Sequence, residues 1–254
     1  MNIDPDWSLA LALLLLMALG TGALVLGRLK IAGQVPWAGI RAAVQLLLIS
    51  YVIGWAVSSP GWAFALVGVM FAVGVFTTAR RVGLDSPRAW ASAALAMAAG
   101  TAPVLAIIFG TGAAPLTGAA IIPLAGILVG NMMTAHTLFV RHALKDLRTG
   151  YDMFEARLAL GFHRRFAIRE VVRESVAEAL IPALDQTRTA GLVSLPGAYI
   201  GVLLGGGTPL EAGAAQLLVL VGVIAGQPLT ALAARELMSL GWLLPRDVER
   251  QLHS

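Results

Sequence analysis

WSLALALLLLMALGTGALVLG, residues 7–27, followed by Arg28 and Lys30, is the stretch that decides the fold. It carries no charged side chain, and a helix of that length covers the roughly 30 Å of a bilayer's hydrocarbon core. The preceding Met1-Asn2-Ile3-Asp4-Pro5-Asp6 lacks the positive leader of a cleaved signal peptide, so the segment is expected to stay as a span. Outward from it the pattern repeats: further apolar segments lie at about 38–57, 61–78, 90–109, 119–140, 180–204 and 212–237. Backbone groups in lipid must be satisfied within their own segment, and nothing alternates with a two-residue period, so the spans are helices rather than barrel strands. The expectation is an all-α integral membrane protein, one domain over residues 1–254, with about seven transmembrane helices.

Charge sets the orientation. The chain is 58% hydrophobic and 13% charged, against about 25% charge in a soluble domain. Traced with the N-terminus out and the C-terminus in, all 18 Lys and Arg residues fall on or near the cytoplasmic side, Arg246 and Arg250 of the tail included. The other side keeps only Asp4, Asp6 and Glu211. Basic residues in short loops orient membrane proteins, which makes this a multi-pass protein of the inner (plasma) membrane whose basicity does not point to nucleic acid. With no cysteine, disulfides, thiol catalysis and cysteine metal sites are excluded.

The one long polar loop, about 141–180, holds eight of the basic residues. It reads as a short helix over 153–160, a stop at Gly161, and a single amphipathic helix from about 163 to 180. Ile168, Val172, Val176 and Leu180 mark the apolar face of that second helix. Pattern alone is equally consistent with an interfacial linker. Glu155-Ala156-Arg157-Leu158-Ala159-Leu160-Gly161 resembles the EAA loop of ABC-transporter permeases, a coupling helix that docks on the ATPase subunit; Arg157 departs from it, where a small residue is usual. The resemblance implies that Glu155, Ala156, Gly161 and Arg165 meet the ATPase. Only Lys30 and Lys145 exist, neither in a Gly-Lys-Ser/Thr loop, so no nucleotide site is expected here; ATP and Mg would belong to the partner. His-Glu-x-x-His and Gly-x-Ser-x-Gly are also absent, which argues against an enzyme.

Longer stretches carry a second resemblance. Arg41-Ala42-Ala43-Val44-Gln45-Leu46, Ile122-Pro123-Leu124-Ala125-Gly126 with Gly130-Asn131-Met132-Met133, and above all 185–197 (DQTRTAGLVSLPG) are similar to the FetB-type iron-export permeases, a group that includes plant aluminium-tolerance permeases. The resemblance implies a permease that dimerises, pairs with two ATPase subunits and exports a metal such as iron. Ala198 and Tyr199, where the pattern calls for methionine, and Met132 and His136 depart from it.

Intramembrane polar groups usually face a pathway or a partner. On that ground Arg41, Gln45, Asn131, Met133, Asp185, Arg188, Pro196 and Gly197 are the expected path or gating residues. Arg41 and Gln45 share a helix face, and Arg41 has Asp185 as a candidate partner across the bundle. Asp185 and Arg188, three apart, form another possible pair. Pro196-Gly197 breaks the sixth segment, and broken helices expose carbonyls that can hold cations. Met132, Met133 and His136 have the chemistry of metal ligands; packing is the competing role for the methionines. His136 is expected at the membrane interface. A channel or secondary transporter without ATP, and a membrane scaffold, are the rival classes.

Overall fold

The computed structural model describes residues 6–83, 86–244 and 248. Asp4, Arg246 and Arg250 lie outside the described residues. Backbone contacts divide the chain into two compact units, one through Ser58 and one from Ser59 onward.

The first unit is a helical pair, α1 (Trp7–Leu26) and α2 (Gln34–Ala56). Asp6 caps α1. Its Oδ1 accepts the Ser8 hydroxyl at 2.7 Å and the Ser8 and Leu9 N–H groups at 3.0 and 3.1 Å. The Ser8 hydroxyl first, then the Leu9 amide, hold this carboxyl below its ordinary value. No α1 residue is buried within this unit, and the helix is apolar all round.

The second unit holds α3 (Pro60–Arg81), α4 (Pro87–Gly110), α5 (Gly118–Thr149), α6 (Tyr151–Ala159), α7 (Arg164–Val171), α8 (Arg173–Thr189), α9 (Gly197–Leu204) and α10 (Pro209–Ser239). Serine or threonine precedes α3, α4 and α10, each with proline at the helix start. The side chain accepts a first-turn N–H, at Trp62, Ala89 and Glu211 respectively. At α10 the cap is reciprocal, because Glu211 Oε2 also takes the Thr208 N–H at 2.8 Å.

Six described helices, α1 to α5 and α10, are long and apolar enough to cross a membrane. Each encloses or nearly encloses an expected span. The sixth expected segment is not one helix. It is delivered by α8 and α9 with residues 190–196 between them, where Gly191 takes φ +84° and Pro196 cannot donate to a helical ladder.

α8 and α9 nevertheless follow α10 for most of its length. Ser175, at the start of α8, donates to Asp146 near the end of α5 at 2.5 Å. Leu180, Ala183 and Leu184 lie against Ile224, Gln227 and Pro228 at the middle of α10. The Tyr199 amide of α9 donates to Gln216 Oε1 at 3.2 Å, nearer the start of α10. The expected break is therefore present, in a segment that runs along α10.

A second correction concerns the helix expected over 163–180. It is interrupted at Val172 (φ −92°, ψ 13°), which ends α7 and begins α8. The anticipated apolar face survives the interruption: Ile168 and Val172 are fully buried, and Val176 and Leu180 pack on the same core.

Candidate functional site

α5 is the spine of the second unit. Its 32 residues rise about 48 Å, well beyond the hydrocarbon thickness. At its C-terminal end Phe139, Val140, Ala143 and Leu147 form one core with Phe154 of α6, Ile168 of α7 and Met238 of α10. Phe154 is 1% exposed and pins α6 to that core. Arg169 of α7 pairs with Glu236 of α10. The short helices are thus anchored to the ends of two long ones.

Their other side is uncovered. Glu155, Ala156, Gly161 and Arg165 are exposed, together with Leu160 (76%), Phe162 and Phe166, whose rings stack at 4.9 Å. Gly161 has φ +85°; its N–H donates to Leu158 O at 2.9 Å and that of Phe162 to Arg157 O at 3.1 Å, a left-handed helix stop. Arg157, the departure from the EAA pattern, is half-buried, donates to Met153 O at 3.2 Å and borders a cleft of about 430 Å³ with Asp146, Glu170, Glu174 and Glu178. Pointed inward, it leaves the exposed side of α6 free of a bulky cation.

In the membrane-spanning part, α4, α5 and α10 cross at Gly100 and Gly226. A β-carbon on Gly100 would lie 2.1 Å from Thr230 Oγ1, 2.4 Å from Gly226 O and 2.8 Å from Met132 Sδ. Met132 is fully buried, wedged over both glycines. Gln227 Nε2 reaches Asn131 O at 3.3 Å, while Asn131 Nδ2 bonds back to Ile127 O at 2.9 Å within its own helix. Met133 is half-buried and packs with the Val75, Met97 and Val129 cluster.

His136 is fully buried in the protein, with Nδ1 3.2 Å from Thr78 Oγ1 of α3, two residues before Arg80. α5 runs nine residues beyond the last apolar position of the expected span.

Asp185 and Arg188 form an exposed pair at 3.2 Å. Arg188 lies about 22 Å of helix rise beyond Arg173. Pro196 and Gly197 open α9, and Gly197 borders a cavity of about 1140 Å³ between α5, α9 and α10, lined by apolar residues such as Leu124, Val202 and Leu218 apart from Glu211. Arg41 and Gln45 are exposed on α2 of the first unit. Among the described residues no three His, Asp or Glu side chains converge as a metal cage.

Residues 6–241 match the family described as "Uncharacterised protein family (UPF0014)". The chain belongs to the UPF0014 family. Family relatives include "UPF0014 membrane protein STAR2" of Oryza sativa subsp. japonica, 35% identical over 76% of this chain and 68% of that one. "Protein ALUMINUM SENSITIVE 3" of Arabidopsis thaliana is 32% identical over 76% and 71%. "Probable iron export permease protein FetB" of Escherichia coli (strain K12) is 28% identical over 92% and 90%. No solved structure matches the chain. This UPF0014 member is therefore a multi-pass membrane protein, and one of its relatives is named as a probable permease.

Sequence reading missed Thr78, Gly100, Gly226, Gln227 and Thr230. Gln227 had a legible signal, a polar side chain inside an apolar span. The two glycines had none, because only the crossing geometry distinguishes them from other span glycines.

Proposed function

We propose that this chain is the transmembrane permease subunit of an ABC transporter in the inner membrane, exporting a metal ion such as iron from the cytoplasm. A separate ATPase polypeptide drives it. The observation that carries the reading is the two-sided build of α6 and α7. One side is locked by Phe154 and Ile168 into the ends of α5 and α10; the other presents Ala156, Leu160, Phe162 and Phe166 with Glu155 and Arg165 at the rim. An exposed apolar patch ringed by charge fits a protein partner. A push on it reaches the spans directly through α5. The metal assignment rests on the FetB-named relative, and a permease dimer carrying two ATPases follows the same resemblance.

The test is co-purification with candidate ATPases in detergent, followed by reconstitution. Wild type is expected to retain one ATPase, and Glu155→Arg to lose it while keeping its melting temperature. Hydrolysis by the complex should rise with iron, manganese, zinc or copper. Undiminished metal efflux from cells lacking every such ATPase would overturn the reading in favour of an ATP-independent carrier.

A further inference from the structure

A chain of hydrogen bonds fixes which nitrogen of His136 is bare. Thr137 Oγ1 donates its single hydrogen to Met133 O at 2.8 Å. The 2.6 Å contact between Thr137 Oγ1 and Thr78 Oγ1 must then use the Thr78 hydrogen, with Thr137 accepting. That leaves Thr78 Oγ1 only its lone pairs for the 3.2 Å contact with His136 Nδ1, so Nδ1 is the donor. In the neutral ring the single N–H is thereby spent, and Nε2 carries a lone pair. That atom is buried and has no hydrogen-bond partner among the described residues.

A buried acceptor without a donor is costly in a protein interior and more so within a membrane. An imidazole whose far nitrogen donates to a fixed acceptor is also the arrangement that metal-ligating histidines adopt. Met132, fully buried, precedes His136 by one turn on α5, so their β-carbons are about 5–6 Å apart. Metal–nitrogen and metal–sulfur bonds of about 2.0–2.3 Å let both side chains meet one ion.

We propose that His136 Nε2 is a ligand for the exported metal ion inside the helical bundle, with the Met132 thioether as its soft partner. Thr78 and Thr137 are positioning residues that hold the tautomer. This rests on the metal-export reading above and names the site within it. A nitrogen–thioether pair selects ions such as Fe²⁺, Zn²⁺ or Cu⁺ and disfavours Mg²⁺ and other oxygen-seeking cations.

The experiment uses the full chain in lipid nanodiscs with ¹⁵N-labelled histidine, the His136 signal being assigned by its loss in His136→Gln. Wild type should show hydrogen on Nδ1 and none on Nε2. Zn²⁺ should shift Nε2, and Mg²⁺ should not. Affinity for Zn²⁺ and anaerobic Fe²⁺ should fall at least tenfold in His136→Gln and about 10–100-fold in the near-isosteric Thr78→Val, which should also redistribute the tautomers. Met132→Leu should weaken Cu⁺ more than Zn²⁺. Hydrogen found on Nε2 in wild type, or unchanged Zn²⁺ and Fe²⁺ affinity in His136→Gln, overturns the assignment. Metal-stimulated ATP hydrolysis separates the two readings. If it persists undiminished in His136→Gln, the ligand assignment fails and export stands. If no metal stimulates wild type while the Zn²⁺ shift at Nε2 remains, export fails and the ligand assignment stands.

Discussion

Gly100→Ala is the sharpest perturbation of this architecture. The added carbon would lie 2.4 Å from Gly226 O, whereas ordinary contact begins near 3.4 Å, so α4 and α10 must part by about 1 Å. A carbonyl oxygen fixed in a helix cannot swing aside as a side chain can. Overpacking of this kind costs about 1–3 kcal/mol. For a chain of this size that is a fall of roughly 2–12 °C in melting temperature. Tryptophan-fluorescence melting in one detergent suits the protein, since six tryptophans report on it and no cysteine complicates labelling. Gly130→Ala is the matched control, for its β-carbon meets nothing within 4 Å. Adding Thr230→Ala removes the 2.1 Å hydroxyl contact but leaves the carbonyl, so the double variant should recover little. Equal melting of Gly100→Ala and Gly130→Ala would refute the claim that the helices touch backbone to backbone here.

Three further outcomes follow from the α6–α7 platform. Phe154→Ala should destabilise by about 3–5 kcal/mol, read as a large melting shift, whereas Leu160→Ala should stay within about 0.5 kcal/mol yet weaken ATPase retention on an affinity column. Gly161→Ala should cost about 1 kcal/mol, because φ +85° strains any residue with a β-carbon; a melting temperature at or above wild type would contradict it. Glu236→Gln, which cuts the half-exposed pair with Arg169, should cost less than about 1 kcal/mol, and a shift as large as that of Phe154→Ala would show that the pair is shielded from solvent.

The spans were legible because lipid enforces a simple rule: long apolar runs bounded by charge must be helices. The ends were less so. α2 begins at Gln34 and α5 continues to Thr149, since a helix does not stop where its apolar run stops when tertiary contacts sustain it. The Pro196-Gly197 break was readable from residue type, and so was the Gly161 stop. The break at Val172 was not. Valine has no cap signature, and its non-helical backbone follows from aiming α8 along α10 while α7 stays on the core. His136 shows the limit most clearly. Its burial had no signal in the chain, because it depends on α3 lying alongside and lending Thr78 to the ring.

The unusual length of α5 gives it a mechanical consequence. Arg148, beside the α6–α7 platform, and His136 stand on one rod, about 18 Å of rise apart. Pro123, inside the same helix, has no hydrogen to lock the turn before it and can serve as fulcrum. A swing of about 10° there would carry His136 sideways by roughly 3 Å and the far tip by roughly twice that, so a nudge at the α6 end is geared down to the width of one coordination bond and a little more. Spin labels at positions 134 and 148 should then move in that ratio on nucleotide binding; equal displacements would mean that the rod slides rather than tilts.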